Sequence, residues 1–275
     1  MNKFTAAIIQ LDSQSDVEKN LNTIIGFIEQ AVQRGAKLIA MPENCNYVGG
    51  ESAAHAEEIP GGHTFRVLSE QAKKYGVWLH CGSIYEKNDT DPRPYNSSMV
   101  INPKGELAAK YHKLHPFDVN VPGLEPIRES DRICPGREIV TVDTGEVGCL
   151  GLSVCYDIRF GELYRIMALE GAQILLTPAD FTMPTGKDHW ETILRTRAIE
   201  NGCYVIAPGQ YGVKPKFTAY ANSLIVDPWG TVIARAPDRP CVITAEIDLD
   251  YLQEVRRKIF TLENRRPDVY SLKRT

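Results

Sequence analysis

The chain has 275 residues, and its 31 lysines and arginines against 35 aspartates and glutamates give a formal charge of −4 at pH 7. That balance excludes a polyanion-binding surface as the default reading, so no nucleic-acid partner is expected. The strongest apolar runs, 147–155 and 224–226, are far shorter than the roughly 20 residues of a membrane helix, so no membrane partner is expected either.

A strand is expected at 4–11, then a helix over 17–34 with apolar residues at 17, 21, 24, 25, 28 and 32. A strand at 37–42, a helix near 64–75 and strands near 77–85 and 97–102 follow. Further on, an apolar strand runs into Cys155 and a helix is expected to begin near Arg159. Another helix covers 187–201 and carries Trp190, which is assigned to the core or a subunit interface. The alternation defines an α/β protein. With no low-complexity tract or Pro/Gly/Ser-rich linker, residues 1–275 are expected to form a single domain. The N-terminus lacks the basic segment, long apolar stretch and cleavage site of a secretory signal, which makes the cytoplasm the expected location.

The chain also repeats itself. Arg34-Gly-Ala-Lys-Leu-Ile-Ala-Met-Pro42 resembles Glu170-Gly-Ala-Gln-Ile-Leu-Leu-Thr-Pro178, a joint between a helix end and a strand. Val100-Ile-Asn-Pro-Lys-Gly105 resembles Ile225-Val-Asp-Pro-Trp-Gly230, a hairpin turning at Pro-x-Gly. Two related halves, each with helices on one side of its sheet, leave two bare apolar sheet faces that bury each other. The expected architecture is a four-layer α-β-β-α sandwich of two internally related halves.

Three positions stand out chemically. Cys155 lies where a strand turns toward a helix, near backbone N–H groups that favour a thiolate and a developing oxyanion. Glu43 follows the apolar strand 37–42 and sits where a buried rim suits a general base. Lys113 follows the first hairpin and offers a fixed positive charge. His112 and His115 are spaced i, i+3 beside Pro116 with no third ligand nearby, so no metal is expected. The seven cysteines (Cys45, Cys81, Cys134, Cys149, Cys155, Cys203, Cys241) form no C-x-x-C pair, which argues against a disulfide framework or a zinc knuckle. Gly151-Leu-Ser-Val-Cys155 misses the serine elbow by its last glycine, and Thr185-Gly-Lys-Asp188 lacks the features of a phosphate loop. Tyr47, four residues after Glu43, is a candidate to border the pocket.

Met41-Pro42-Glu43, His112-Lys113-Leu114-His115 and Ser153-Val154-Cys155-Tyr156-Asp157-Ile158-Arg159-Phe160, in this order and spacing, resemble the three signature blocks of the nitrilase superfamily of carbon–nitrogen hydrolases. The resemblance implies a Glu43–Lys113–Cys155 triad, a second acid at Glu129, and an oxyanion contact from the Tyr156 N–H. It also implies the four-layer sandwich, a homodimer or higher even homo-oligomer, and no cofactor. The stretches 117–123, 128–130, 196–205 and 265–270 look like the Nit-type amidases, which act on small ω-amides of dicarboxylates. The nearest likeness is to the branch that hydrolyses deaminated glutathione to 2-oxoglutarate and cysteinylglycine. The alternative is the ω-amidase branch, acting on 2-oxoglutaramate and 2-oxosuccinamate; a nitrilase and a noncatalytic scaffold rank lower. Such substrates carry a carboxylate, for which Arg159 and Lys187 are the candidate cations, with Phe181 and Thr182 as further substrate contacts. Many members have an uncharged residue at the Lys187 position, and Gly-His-Ser where this chain has Ala221-Asn-Ser223.

Overall fold

The computed structural model describes residues 2–120 and 126–274, so 121–123 of the stretch 117–123 lie outside the described residues. The first half runs β1 (Lys3–Gln10), α1 (Val17–Gln33), β2 (Ala36–Ala40), α2 (His63–Tyr75), β3 (Trp78–His80), β4 (Ile84–Glu86), β5 (Tyr95–Ile101) and β6 (Leu107–His112). A short ribbon of β7 (Asp118–Val119) and β8 (Ile127–Arg128) follows. The second half runs β9 (Thr141–Asp143), β10 (Cys149–Leu152), α3 (Gly161–Leu169), β11 (Ile174–Leu176), α4 (Met183–Asn201), β12 (Tyr204–Ala207), β13 (Leu224–Val226) and β14 (Val232–Arg235). Last come β15 (Cys241–Asp248) and α5 (Leu249–Lys258).

The two sheets share one plan. In the first, β1, β2 and β3 are parallel neighbours, β15 pairs antiparallel with β1, and the β5–β6 hairpin lies antiparallel beyond β3. In the second, β10, β11 and β12 are parallel, β9 pairs antiparallel with β10, and the β13–β14 hairpin lies beyond β12. Helices α1 and α2 make the crossovers of the first half as α3 and α4 make those of the second. Even the turns correspond: Gly35 and Gly171 (φ 79° and 101°), and Gly105 and Gly230 (φ 83° and 91°), are left-handed at equivalent joints. The repeat read from the sequence is therefore present in the strand order.

Alternation along the strands builds the layers. Ala6, Ile8, Leu38, Ala40 and Val100 share one core with Leu150, Leu152, Ile174 and Leu176 of the second sheet. Ala7, Ile9, Ile39 and Leu79, on the opposite face, pack with Leu21, Ile24 and Ile28 of α1 and Leu68 and Ala72 of α2. Leu163 and Met167 of α3 and Trp190 and Leu194 of α4 join the second sheet's core. Helix, sheet, sheet and helix stack in that order, and each fully buried aliphatic side chain contributes about 1.5–3 kcal/mol.

Three boundaries differ from the sequence reading. The strand expected at 77–85 is two strands, β3 and β4, broken around Gly82. There φ is 54°, and a Cβ would lie 1.9 Å from the Pro42 carbonyl oxygen, so the break lets the segment leading to Glu43 lie against the sheet. Helix α3 starts at Gly161 because residues 155–159 form a 3-10 turn. Helix α4 starts at Met183, with Thr182 as its N-cap position and Pro184 in its first turn. No described helix is long and apolar enough to cross a membrane.

Candidate active site

Four strand ends and turns carry the site. Glu43 follows β2, Lys113 follows β6, Cys155 follows β10, and Glu129 lies in the 3-10 turn after β8. The Lys113 ammonium is 1% exposed and bridges two carboxylates, 2.9 Å from Glu43 Oε1 and 2.8 Å from Glu129 Oε2. Glu43 Oε1 also accepts from Asn96 Nδ2 at 2.9 Å, and Glu43 Oε2 accepts the Asp180 N–H at 2.8 Å. Glu129 Oε2 accepts the Phe117 N–H at 2.5 Å. Burial works against the charge on Lys113, but Glu129 and Glu43 outweigh it and hold its pKa well above the ordinary lysine value. The ammonium is therefore permanent and fixed in direction.

Cys155 sits at a strained joint. Its φ is 50°, a left-handed conformation that a non-glycine residue adopts only when its surroundings impose it. Here the Cys155 N–H donates to the Pro178 carbonyl at 2.8 Å, and Asp157 Oδ2 accepts the Val154 N–H at 2.8 Å. Glu43 stands beside the thiol closely enough for its negative charge to act on it. Burial and then the Glu43 charge push the thiol pKa well above its ordinary value, with Lys113 opposing. The sequence reading had the turn favour a thiolate; the resting state in this site is a thiol, because desolvation and a carboxylate neighbour outweigh the ammonium. A protonated sulfur beside a carboxylate and an ammonium can become a nucleophile in one concerted step, as the carboxylate takes its proton.

Asp157 ties the lysine strand to the cysteine turn. Fully buried, it accepts from Tyr111 Oη at 2.7 Å and from the His115 N–H at 3.0 Å, and it contacts His115 Nδ1 at 2.7 Å. Asp157→Ala is expected to destabilise the fold by about 3 kcal/mol or more, since several buried donors lose their acceptor together. A urea unfolding midpoint that stays at the wild-type value would refute that role.

The four side chains open on a cavity of about 790 Å³. Its walls include Val48, Gly49 and Gly50, Tyr85, Phe117, residues 126–129, Asp131 and Arg132, Asp180 and Thr182, and residues 214–217. Of the side chains named from the sequence, Glu43, Lys113, Cys155, Glu129 and Thr182 line it. Tyr47, Phe181, Arg159 and Lys187 do not. Tyr47 stacks on His55 with ring centroids 3.7 Å apart, and Phe181 packs on Trp190 at 4.9 Å. The Arg159 guanidinium lies over the rings of Tyr156 and Phe181, and Lys187 is exposed on α4. Tyr156 packs edge-on against Phe117 and Phe160, and its backbone N–H belongs to the first turn after Cys155, where N–H groups are free of helical partners. The cations on the cavity wall besides Lys113 are Arg128, Arg132, Lys214 and Lys216, none of which the sequence reading picked out as a substrate contact. Lys214 is anchored across the sandwich by Asp12 Oδ1 at 2.9 Å and the Ser13 carbonyl at 2.9 Å. Ser153 of the near-miss serine elbow is buried against Tyr164 Oη at 2.7 Å, away from the cavity.

Asp180 was also missed. The repeat contains a signal for it: one half reads Met41-Pro42-Glu43 and the other Thr177-Pro178-Ala179-Asp180, an acid just past the matching strand end. Burial, opposed by Lys214 and reinforced by Glu43, pushes its pKa up from 3.8 to about 8. A carboxyl that holds its proton more tightly in the folded chain makes stability fall as pH rises from about 4 to 8. Asp180→Asn is expected to flatten that part of the stability profile, which thermal melts across the range will check.

A buried cysteine facing a glutamate and a lysine, at the seam of a duplicated α-β-β-α sandwich, defines a class of hydrolase. Residues 5–257 match the carbon–nitrogen hydrolase family, and the chain belongs to it. Deaminated glutathione amidase of Homo sapiens is 38% identical over 270 residues, covering 96% of this chain and 83% of that protein. Omega-amidase NIT2 of Xenopus tropicalis is 39% identical over 275 residues, covering 99% of this chain and 98% of that one. The crystal structure of the C. elegans NitFhit protein superposes with a TM-score of 0.91 at 37% identity; the match covers 98% of this chain and 66% of that chain.

Proposed function

We propose that this protein is an amidase that hydrolyses a small carboxylate-bearing amide through a thioester on Cys155, with deaminated glutathione as its foremost substrate. The convergence of Cys155, Glu43, Lys113 and Glu129 on one cavity carries the reading. Glu43 takes the thiol proton as sulfur attacks the amide carbon, and Lys113 with the Tyr156 N–H receives the charge that develops on oxygen. As the carbon–nitrogen bond breaks, Glu43 passes the proton to the departing nitrogen, which leaves as cysteinylglycine. Glu43 then takes a proton from water while its hydroxyl attacks the thioester, and returns that proton to sulfur as 2-oxoglutarate is released. Glu129 holds Lys113 on the side away from Glu43 and, at the cavity wall, steers the incoming amide.

An ω-amidase acting on 2-oxoglutaramate is the second reading, supported by the likeness to omega-amidase NIT2. In that case the leaving group is ammonia. Release of ammonia or dipeptide from deaminated glutathione, 2-oxoglutaramate, glutamine and a simple nitrile, assayed separately, distinguishes the readings. Cleavage of deaminated glutathione above the rest is expected; preference for 2-oxoglutaramate promotes the second reading, and turnover of the nitrile alone overturns both.

We further infer one hydrolase domain over 1–275 and an even homo-oligomer, for which exposed Ile199, Trp229, Phe260 and Tyr270 supply apolar surface. Light scattering will test the assembly. The seven free cysteines support a reducing, cytoplasmic location.

A further inference from the structure

The proposed chemistry uses the backbone N–H of Asp180 and leaves its side chain idle. Among the described residues, Asp180 is the cavity-lining residue with a buried polar atom left unpartnered: Oδ1 has no donor, and Oδ2 makes no hydrogen bond with the protein. Its neighbours are already matched. In the resting site Lys113 hydrogen-bonds Glu43 and Glu129 rather than Asp180, and Lys214 bonds Asp12, the Ser13 carbonyl and Gln210. Thr182 Oγ1 is 3.0 Å from Thr185 Oγ1. Ionising Asp180 would place charge on an oxygen that water does not reach. The neutral acid instead leaves a carbonyl oxygen in the buried position and an O–H on the other oxygen.

We propose that Asp180 reads the acyl side of the substrate, its carboxylic O–H donating to the 2-oxo oxygen of a 2-oxo-acid amide. The inference rests on the amidase reading above and adds a determinant of specificity to it. A neutral O–H at this point is matched to an oxo oxygen, whereas an ammonium in the same place finds no carboxylate charge while the acid stays protonated. The site therefore distinguishes a 2-oxo acid from the 2-amino acid of the same length. The upward shift of its pKa to about 8, caused by burial with Lys214 opposing and Glu43 reinforcing, agrees with that state at neutral pH. The charged groups facing it are Lys214, Glu43, Lys113 and Asp12.

Two substrate pairs differ only in oxo against amino: 2-oxoglutaramate against glutamine, and deaminated glutathione against glutathione. In whichever pair the enzyme turns over, Asp180→Ala is expected to lower the ratio of kcat/KM, oxo over amino, by about 10- to 100-fold, chiefly through the KM of the oxo member. Asp180→Asn, which keeps a donor, should hold the ratio within about fivefold. An unchanged ratio in Asp180→Ala, or a wild-type preference for the amino member, overturns the proposal. Turnover of neither pair is failure of the amidase reading itself. Calorimetry then decides the role of Asp180 separately: 2-oxoglutarate should bind Cys155→Ala protein at least tenfold more tightly than it binds the Cys155→Ala/Asp180→Ala double variant, and equal affinities overturn it.

Discussion

Cys155→Ala should lower kcat by about a thousandfold or more while leaving the melting temperature within a few degrees of wild type. The sulfur is the cavity's thiol and lies with Glu43, positioned to take its proton, and Lys113, positioned to stabilise charge. The fold should tolerate the change because the thiol lies at the cavity surface, where losing one atom opens no sealed void, and alanine meets the same backbone conformation at φ 50° that cysteine does. Cys155→Ser is a finer probe. A hydroxyl is several units less acidic than a thiol, and Glu43 is already the proton acceptor, so the serine variant should remain below about a hundredth of wild type. More than a tenth of the activity surviving in Cys155→Ala, assayed by product release, would falsify a covalent role for this residue.

Lys113→Ala should damage both chemistry and folding. Loss of one oxyanion donor typically costs about 100- to 1,000-fold in kcat, and here the same ammonium also aligns Glu43, so about a thousandfold is expected. Its removal leaves Glu43 and Glu129 sharing a buried site with no intervening cation, which should cost about 3–5 kcal/mol of stability. Lys113→Met fills the same volume and separates the two effects: packing is retained, while the charge is still missing. Denaturant unfolding alongside single-turnover kinetics will measure both. A Lys113→Met protein as stable and as active as wild type would show that the ammonium is a bystander.

The fold and the reacting centre were largely written in local patterns. Helix α1 was legible because Val17, Leu21, Ile24 and Ile28 recur at helical spacing, and Glu43 and Cys155, each after an apolar strand, and Lys113, after the first hairpin, were legible because each lies within a recognisable block. What failed was inference from sequence proximity. Arg159 is four residues from Cys155, yet the 3-10 turn lays its guanidinium over Tyr156 and Phe181 rather than into the cavity. Lys187 is on the exposed side of α4, a helix that starts earlier than its apolar pattern indicated. The cations that do reach the wall come from loops whose course depends on distant anchors, such as Lys214 held by Asp12, and no local pattern encodes a contact spanning about two hundred residues. Asp180 was within reach, because the internal repeat extends past its proline to a second acid.

The path of β15 has a mechanical consequence. After the second sheet is complete, the chain crosses back and lays this strand along β1, so the last part of the sequence seals the edge of the first sheet. Neither lobe can open without disturbing its counterpart, and the nucleophile comes from one lobe while its acid and ammonium come from the other. Fluorescence, circular dichroism and residual turnover should therefore disappear together at a single denaturant concentration, with no half-melted species that keeps either structure or catalysis.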